Sequence, residues 1–221
     1  ALADYVHGKG MEFGLWFEPE MINPDSDTFR AHPDWVLKPT PNRLPMQGRT
    51  QQVLDLTNPD AYAYIYGEMD KRVTELGIDY IKWDMNRSLA EVYSPTLPAE
   101  RQGEVYHRYV LGYYDLLGRL TRDFPDMLIE SCCSGGGRVD PGVLAYAPQA
   151  WISDDTDAME RVKIQYGTSY AYPLSMMSNH VSAVPNAQTG RISPLKTRAD
   201  VALFGTFGYE LDPRTVTDEA E

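Results

Sequence analysis

The run Tyr80-Ile81-Lys82-Trp83-Asp84-Met85-Asn86-Arg87 is short, β-prone and breaks off into charged and amide side chains. A period of two puts Lys82, Asp84 and Asn86 on one side of a strand and Ile81, Trp83 and Met85 on the other. One side has the chemistry of a site and the other that of a core. Parallel α/β proteins bind ligands at the carboxyl ends of their strands, where the peptide ladder stops and loops begin. The plain alternative is an edge strand with a solvated face, and the rest of the chain has to decide between the two.

Immediately upstream, Thr57-Asn58-Pro59-Asp60 opens a helix with a capping side chain, a proline in the first turn and an acid near the positive dipole end. Ala61, Ile65, Met69, Val73 and Leu76 recur every three or four residues, and Gly77 ends the helix. Downstream the cycle repeats: a helix over 103–122, a strand over 127–132, the glycine turn Ser134-Gly135-Gly136-Gly137, and a strand over 150–153 that ends in Asp154-Asp155-Thr156-Asp157. A helix over 158–168, an apolar run over 170–177 and a final run over 201–209 follow. Towards the N-terminus, residues 1–10 predict the end of an amphipathic helix with Leu2, Tyr5 and Val6 on one side. Residues 12–17 predict a strand running into Glu18-Pro19-Glu20, and residues 51–56 a further strand. Between these two lies a stretch with Pro24, Pro33, Pro39, Pro41 and Pro45, too rich in proline for regular structure and long enough to be a functional loop. Strand, polar end, helix, strand is the rhythm of a parallel β/α array, which predicts a (β/α)8 TIM barrel. About six strands are legible against the eight a closed barrel needs, so either two strands are irregular or the chain is a piece of a longer protein.

Length and composition fit one sizeable core: 221 residues, 43% hydrophobic and 24% charged. A formal net charge of −12 argues against nucleic acid or an anionic membrane as partner, because like charges repel. The two cysteines, Cys132 and Cys133, are adjacent and form no spaced disulfide framework, so a reducing, cytoplasmic setting is expected. No run of apolar residues reaches membrane-spanning length, and no basic, apolar leader opens the chain.

The chemistry-bearing residues gather at strand ends. Glu18 and Glu20, Asp84, Glu130, and the trio Asp154, Asp155 and Asp157 recur at the same end of successive strands, whereas any one alone would pass for a cap or a surface acid. Two carboxylates facing each other across a barrel mouth are what glycosidic cleavage needs: one attacks or activates water, the other protonates the leaving oxygen. Trp16, Trp35, Trp83 and Trp151 offer flat apolar faces for sugar rings, although a single tryptophan is more often core packing. His7, His32, His107 and His180 show no ligand-like pairing, so neither a metal nor any other cofactor is expected. The glycine turn lacks the Lys-Ser/Thr tail of a phosphate loop and reads as a tight turn that brings backbone N–H groups near a neutral ligand. Cys132 has no legible base beside it and reads as a small rim residue or a buried thiol.

Taken in order, Trp16-Phe17-Glu18-Pro19-Glu20-Met21, Asp34-Trp35-Val36-Leu37, Lys82-Trp83-Asp84-Met85-Asn86-Arg87, Glu130-Ser131-Cys132 with its glycine turn, and Ser153-Asp154-Asp155-Thr156-Asp157-Ala158 resemble the bacterial α-galactosidases of glycoside hydrolase family 36. The resemblance implies a retaining enzyme, free of metal, acting on terminal α-galactosides of the melibiose and raffinose type. It implies Asp84 as nucleophile and Asp154, 70 positions later, as acid/base, with Asp155 and Asp157 as rivals for the second role. Lys82, Asn86 and Arg49 would hold sugar hydroxyls, Trp16 or Trp35 the apolar sugar face, and Cys132 and Ser134 the pocket wall. By the same resemblance, residues 1–221 are barrel strands three to eight. The N-terminal β-sandwich, the acidic pair after the second strand and the C-terminal β-domain of the family are not in this sequence, and a homo-oligomer, tetrameric in related enzymes, is implied. Rival readings are an α-N-acetylgalactosaminidase, a transglycosylase of the raffinose-synthase type, and, from another class, a noncatalytic sugar-binding or structural barrel fragment.

Overall fold

Asn58 starts a helix where the sequence asks for one: its side-chain oxygen accepts from the backbone N–H groups of Asp60 and Ala61. Gly77 closes that helix in the left-handed conformation, φ 60°, which costs a glycine nothing. A computed structural model describes residues 2–46 and 48–216. In chain order its helices are α1 (Leu2–His7), α2 (Asp27–Ala31), α3 (Pro59–Leu76), α4 (Val105–Asp123), α5 (Pro141–Leu144), α6 (Ala158–Ser169) and α7 (Leu195–Ala202). The strands are β1 (Gly14–Phe17), β2 (Met21–Ile22), β3 (Gln52–Val53), β4 (Tyr80–Trp83), β5 (Leu128–Ser131), β6 (Gln149–Trp151), β7 (Met177–Ser182) and β8 (Thr206–Glu210). The chain divides into two compact units within β5, between Ile129 and Glu130.

In the first unit β1 and β4 pair in parallel, Trp16 opposite Lys82 and Phe17 opposite Trp83, with α3 in the crossover. The inner stripe of α3 is Ala61, Ile65, Met69 and Val73, and α4 buries Tyr109, Tyr113, Leu116, Leu117 and Leu120. Burying side chains of this size removes roughly 1.5–3 kcal/mol each of unfavourable hydration, which holds both helices where intrinsic propensity alone would not. In the second unit β5, β6, β7 and β8 pair in parallel in sequence order, with α5, α6 and α7 between them. The architecture is the parallel β/α succession of a (β/α)8 barrel in incomplete form, as expected.

Four expectations need correction. Residues 51–56 are not a barrel strand: β3 pairs antiparallel with β2, so the whole excursion from 18 to 58 is an insertion ahead of α3. The proline-rich stretch contains a short helix, α2, capped by Ser26 through the Phe29 N–H. Leu2 and Tyr5 of α1 are exposed and Ala3 is its buried residue, so the apolar periodicity there did not mark an inner face. The last two runs are shifted. β7 begins only at Met177, because its polar residues Ser178 and Asn179 are buried by pairing rather than by hydropathy, and 201–209 splits between the end of α7 and most of β8.

Candidate active site

The β1–β4 register brings Glu18 and Asp84 out of neighbouring strand ends, and the Asp84 N–H extends the ladder by one step to the Phe17 carbonyl at 2.8 Å. Asp84 is only 6% exposed. Its Oδ2 accepts from Trp16 Nε1 at 3.1 Å and from Asn86 Nδ2 at 2.6 Å, and its Oδ1 accepts from the Met85 N–H at 2.8 Å. Donors aimed at an anionic oxygen are about twice as strong as neutral pairs and fix its direction. Glu18 is the second acid of this cluster. Its Oε1 accepts from Asn86 Nδ2 at 2.6 Å and lies 3.8 Å from Arg49 Nη1, while its Oε2 accepts from Gln51 at 2.6 Å. Asn86 is therefore clamped between two carboxylates. Trp16 is 50% exposed, with its N–H anchored on Asp84.

The other residues expected around Asp84 divide. Lys82 alternates with buried Ile81 and Trp83 and lies partly buried on the face of Asp84. Arg49 occupies a tight turn with φ 52°, followed by Thr50 at φ 59°. Trp35 has other company: it stacks on His32 at 3.8 Å and leans on Tyr64 of α3. Glu20, fully buried, accepts from Trp83 Nε1 at 2.8 Å and from Tyr109 at 2.6 Å, so it ties β4 to α4 rather than entering a site.

In the second unit β6 ends at Trp151, whose Nε1 donates to Asp154 Oδ1 at 3.0 Å. Asp154 is exposed and Asp155 half-buried. Asp157 is a structural residue: Oδ1 caps α6 through the Met159 and Glu160 N–H groups, and Oδ2 accepts from Thr189 at 2.6 Å and Arg191 at 2.9 Å. Burial works to raise its pKa, but those donors and the Arg191 charge prevail, and the carboxyl titrates below the ordinary range. Of the trio, Asp154 is the most exposed, Asp155 is half-buried and Asp157 is buried.

The glycine turn has a packing function the sequence left open. A Cβ on Gly135 would come within 2.9 Å of the Ser153 Cα, and one on Gly136 within 2.7 Å of the Ile152 carbonyl oxygen. The turn thus lies backbone to backbone against the segment that carries Asp154. Ser134, exposed, and Gly135 hold positive φ of 46° and 81°, and Cys132 is buried at the strand end while Cys133 is half-buried. Glu130, expected among the strand-end acids, lies in the wall, accepting from Gln149 and Ser178.

Arg161 escaped the sequence reading. It stacks over Trp151 and donates to the Ser153 and Asp155 carbonyls. Its one signal was a polar residue on the inner stripe of α6, where Ala158, Arg161 and Gln165 are the buried positions. Gln51, Thr189 and Arg191 carried no such signal, because loops bring them in from far along the chain. Among the described residues no three His, Cys, Asp or Glu side chains cluster to hold a metal ion, and no helix is long and apolar enough to cross a membrane.

A parallel β/α succession in which an aspartate just past β4 takes an indole N–H from β1, and an aspartate just past β6 takes one from β6, belongs with the (β/α) barrels. Comparison with known proteins narrows the class. The melibiase family profile matches residues 1–221, and the chain belongs to that family. It is 55% identical to the α-galactosidase Mel36A of Lactobacillus acidophilus over 98% of its own length and 30% of that protein's. It superimposes on the α-galactosidase of Lactobacillus brevis with a TM-score of 0.95 and 53% identity, covering 98% of this chain and 29% of that one. The glycoside hydrolase family 36 α-galactosidase AgaA of Geobacillus stearothermophilus, solved as a variant with raffinose, matches at 0.96 and 52%, covering 99% of this chain and 30% of that one. The chain thus spans about 30% of the length of these relatives.

Proposed function

We propose that this chain is the nucleophile- and acid-bearing part of a retaining α-galactosidase, completed by further barrel strands of the same protein. The observation that carries the reading is the setting of Asp84: a carboxylate at a strand end, with one oxygen directed by Trp16 and Asn86 and the other by the Met85 N–H. A carboxylate so held is a charged, oriented nucleophile. Attack by Asp84 on the anomeric carbon breaks the glycosidic bond while Asp154 gives its proton to the leaving oxygen, leaving a galactosyl ester on Asp84. Asp154, now a base, takes a proton from water, whose oxygen attacks the same carbon and frees Asp84.

Support for the pairing comes from AgaA variants. One aspartate is replaced in the raffinose complex and another in the stachyose complex, and the two are separated by the same number of positions as Asp84 and Asp154. An intact cleavable sugar persists in a crystal when turnover is blocked. In this proposal the exposed face of Trp16 carries the apolar side of the galactose. Asn86, whose amide nitrogen is directed to Asp84 and Glu18, also contacts the sugar in this proposal. Lys82, Arg49, Cys132 and Ser134 complete the sugar contacts, and Trp35 contributes indirectly through its packing on α3.

The test uses the full-length protein. Hydrolysis of an aryl α-galactoside, followed by NMR before mutarotation, is expected to release α-galactose first, and Asp84→Ala is expected to abolish turnover. Near-normal turnover by that variant, or β-galactose as first product, would overturn the assignment.

A further inference from the structure

Arg161 reaches the β6 exit from the inner stripe of α6 and is 4% exposed. Its Nε donates to the Asp155 carbonyl and its Nη2 to the Ser153 carbonyl, both at 2.9 Å. These two carbonyls flank Asp154, so one rigid planar group pins the backbone on both sides of that carboxylate. The same guanidinium lies 4.3 Å from the centre of the Trp151 ring, and Trp151 supplies the N–H that holds Asp154 Oδ1 at 3.0 Å. The indole also stacks against His180, which restrains its tilt. One buried arginine therefore reaches the backbone of Asp154 directly and its side chain through Trp151. A lysine has no fork with which to bridge two carbonyls and lies less readily flat on an indole.

We propose that Arg161 is the positioning residue of the acid/base aspartate, acting through the Ser153 and Asp155 carbonyls and through Trp151 to aim Asp154 at the leaving oxygen. The inference rests on Asp154 being the acid/base. Burial lowers the Arg161 pKa to about 10, against the pull of Asp155, Asp154, Glu130 and Glu210, so the guanidinium stays charged at neutral pH.

A misaimed acid has a signature that loose packing lacks. Protonation matters for a sugar leaving group, which departs as a poor alkoxide, and hardly for 2,4-dinitrophenolate, which departs unassisted. Unfolded enzyme lowers kcat/KM for both substrates by one factor and cancels in their ratio. In the full-length protein, kcat/KM for raffinose and for 2,4-dinitrophenyl α-galactoside is measured for Asp154→Asn, Arg161→Met, Arg161→Lys and Trp151→Phe. Asp154→Asn is expected to lose roughly 10²–10⁴-fold on raffinose and far less on the aryl substrate. Arg161→Met is expected to show the same split at about 10–100-fold, with Arg161→Lys between it and wild type and Trp151→Phe losing about tenfold on raffinose alone. Should Arg161→Met fail to fold, Trp151→Phe and Arg161→Lys carry the decision. Equal losses on both substrates in the Arg161 and Trp151 variants, with the split intact in Asp154→Asn, would overturn this inference alone. Absence of the split in Asp154→Asn would overturn the acid/base assignment instead.

Discussion

The surroundings of Asp84 and Asp154 differ in the way their proposed tasks differ. Asp84 is nearly buried and held by three N–H donors, two of them side chains from its own neighbourhood and from β1. Asp154 is exposed and has one indole donor, with its control exerted from beneath through Arg161 and the glycine turn. A nucleophile works from one charge state and one direction, so dense hydrogen bonding serves it. An acid/base group must gain and lose a proton every cycle, so it needs solvent access and a firm backbone rather than many donors on its oxygens.

The sharpest way to break this contrast is azide rescue in the full-length protein. Asp84→Ala is expected to lose on the order of 10⁴-fold or more on every substrate, and with azide to yield β-galactosyl azide, since azide then attacks the α-linked substrate directly. Asp154→Ala is expected to lose about 10²–10⁴-fold on oligosaccharides and, with an activated aryl donor, to yield α-galactosyl azide through the ester on Asp84. Exchanged or identical anomers would mean that the two roles are misassigned. Next in size is Trp16→Phe, which keeps an aromatic face but drops the hydrogen bond to Asp84. A bond to a charged group contributes roughly 1.5–3 kcal/mol and is present in the free protein, so the melting temperature should fall by a few degrees while kcat/KM falls by about 10–100-fold.

Gly136→Ala probes the other side through the backbone. Its Cβ would lie 2.7 Å from the Ile152 carbonyl oxygen, and relief of that clash should cost about 1–3 kcal/mol in a denaturant titration. Activity on oligosaccharides should drop more than activity on activated aryl substrates, because the displaced segment carries Asp154. The smallest effect concerns Asp157. Its folded-state pKa lies below the unfolded value, so its contribution is present above the unfolded carboxylate range and is lost as pH falls through the folded pKa. Asp157→Asn keeps a capping oxygen while removing the charge that faces Arg191. It should therefore destabilise the protein by about 1–2 kcal/mol at pH 7, with a gap that closes below about pH 4. A gap that persists in acid would mean the ion pair contributes little.

The β/α rhythm was legible because caps and periodicity are local. Asn58, Pro59 and Gly77 state the limits of α3 in the sequence, and the alternation over Tyr80–Trp83 separated buried Ile81 and Trp83 from half-buried Tyr80 and Lys82, whereas Asp84 just beyond is buried together with its hydrogen-bond donors. Where burial depends on pairing with distant residues, the pattern misled: β7 hides Ser178 and Asn179 behind bonds to Glu130 and the Phe204 carbonyl, and β3 looks like a barrel strand until β2 claims it.

The strand-end acids show the same division. Glu18, Glu20, Glu130, Asp154, Asp155 and Asp157 are one residue type in one kind of place, and nothing local distinguishes them. The place of Asp84 just past an alternating strand was readable from the sequence, and the ordered motifs made the family readable too. Tertiary structure alone assigned Glu20 to Trp83 and Tyr109, Glu130 to Gln149 and Ser178, and Asp157 to Thr189 and Arg191. It alone left Asp154 open to solvent above a buried arginine. A carboxylate's task is set by which donors reach it, and for Glu20, Glu130 and Asp157 the deciding donors come from distant parts of the chain that only folding brings near.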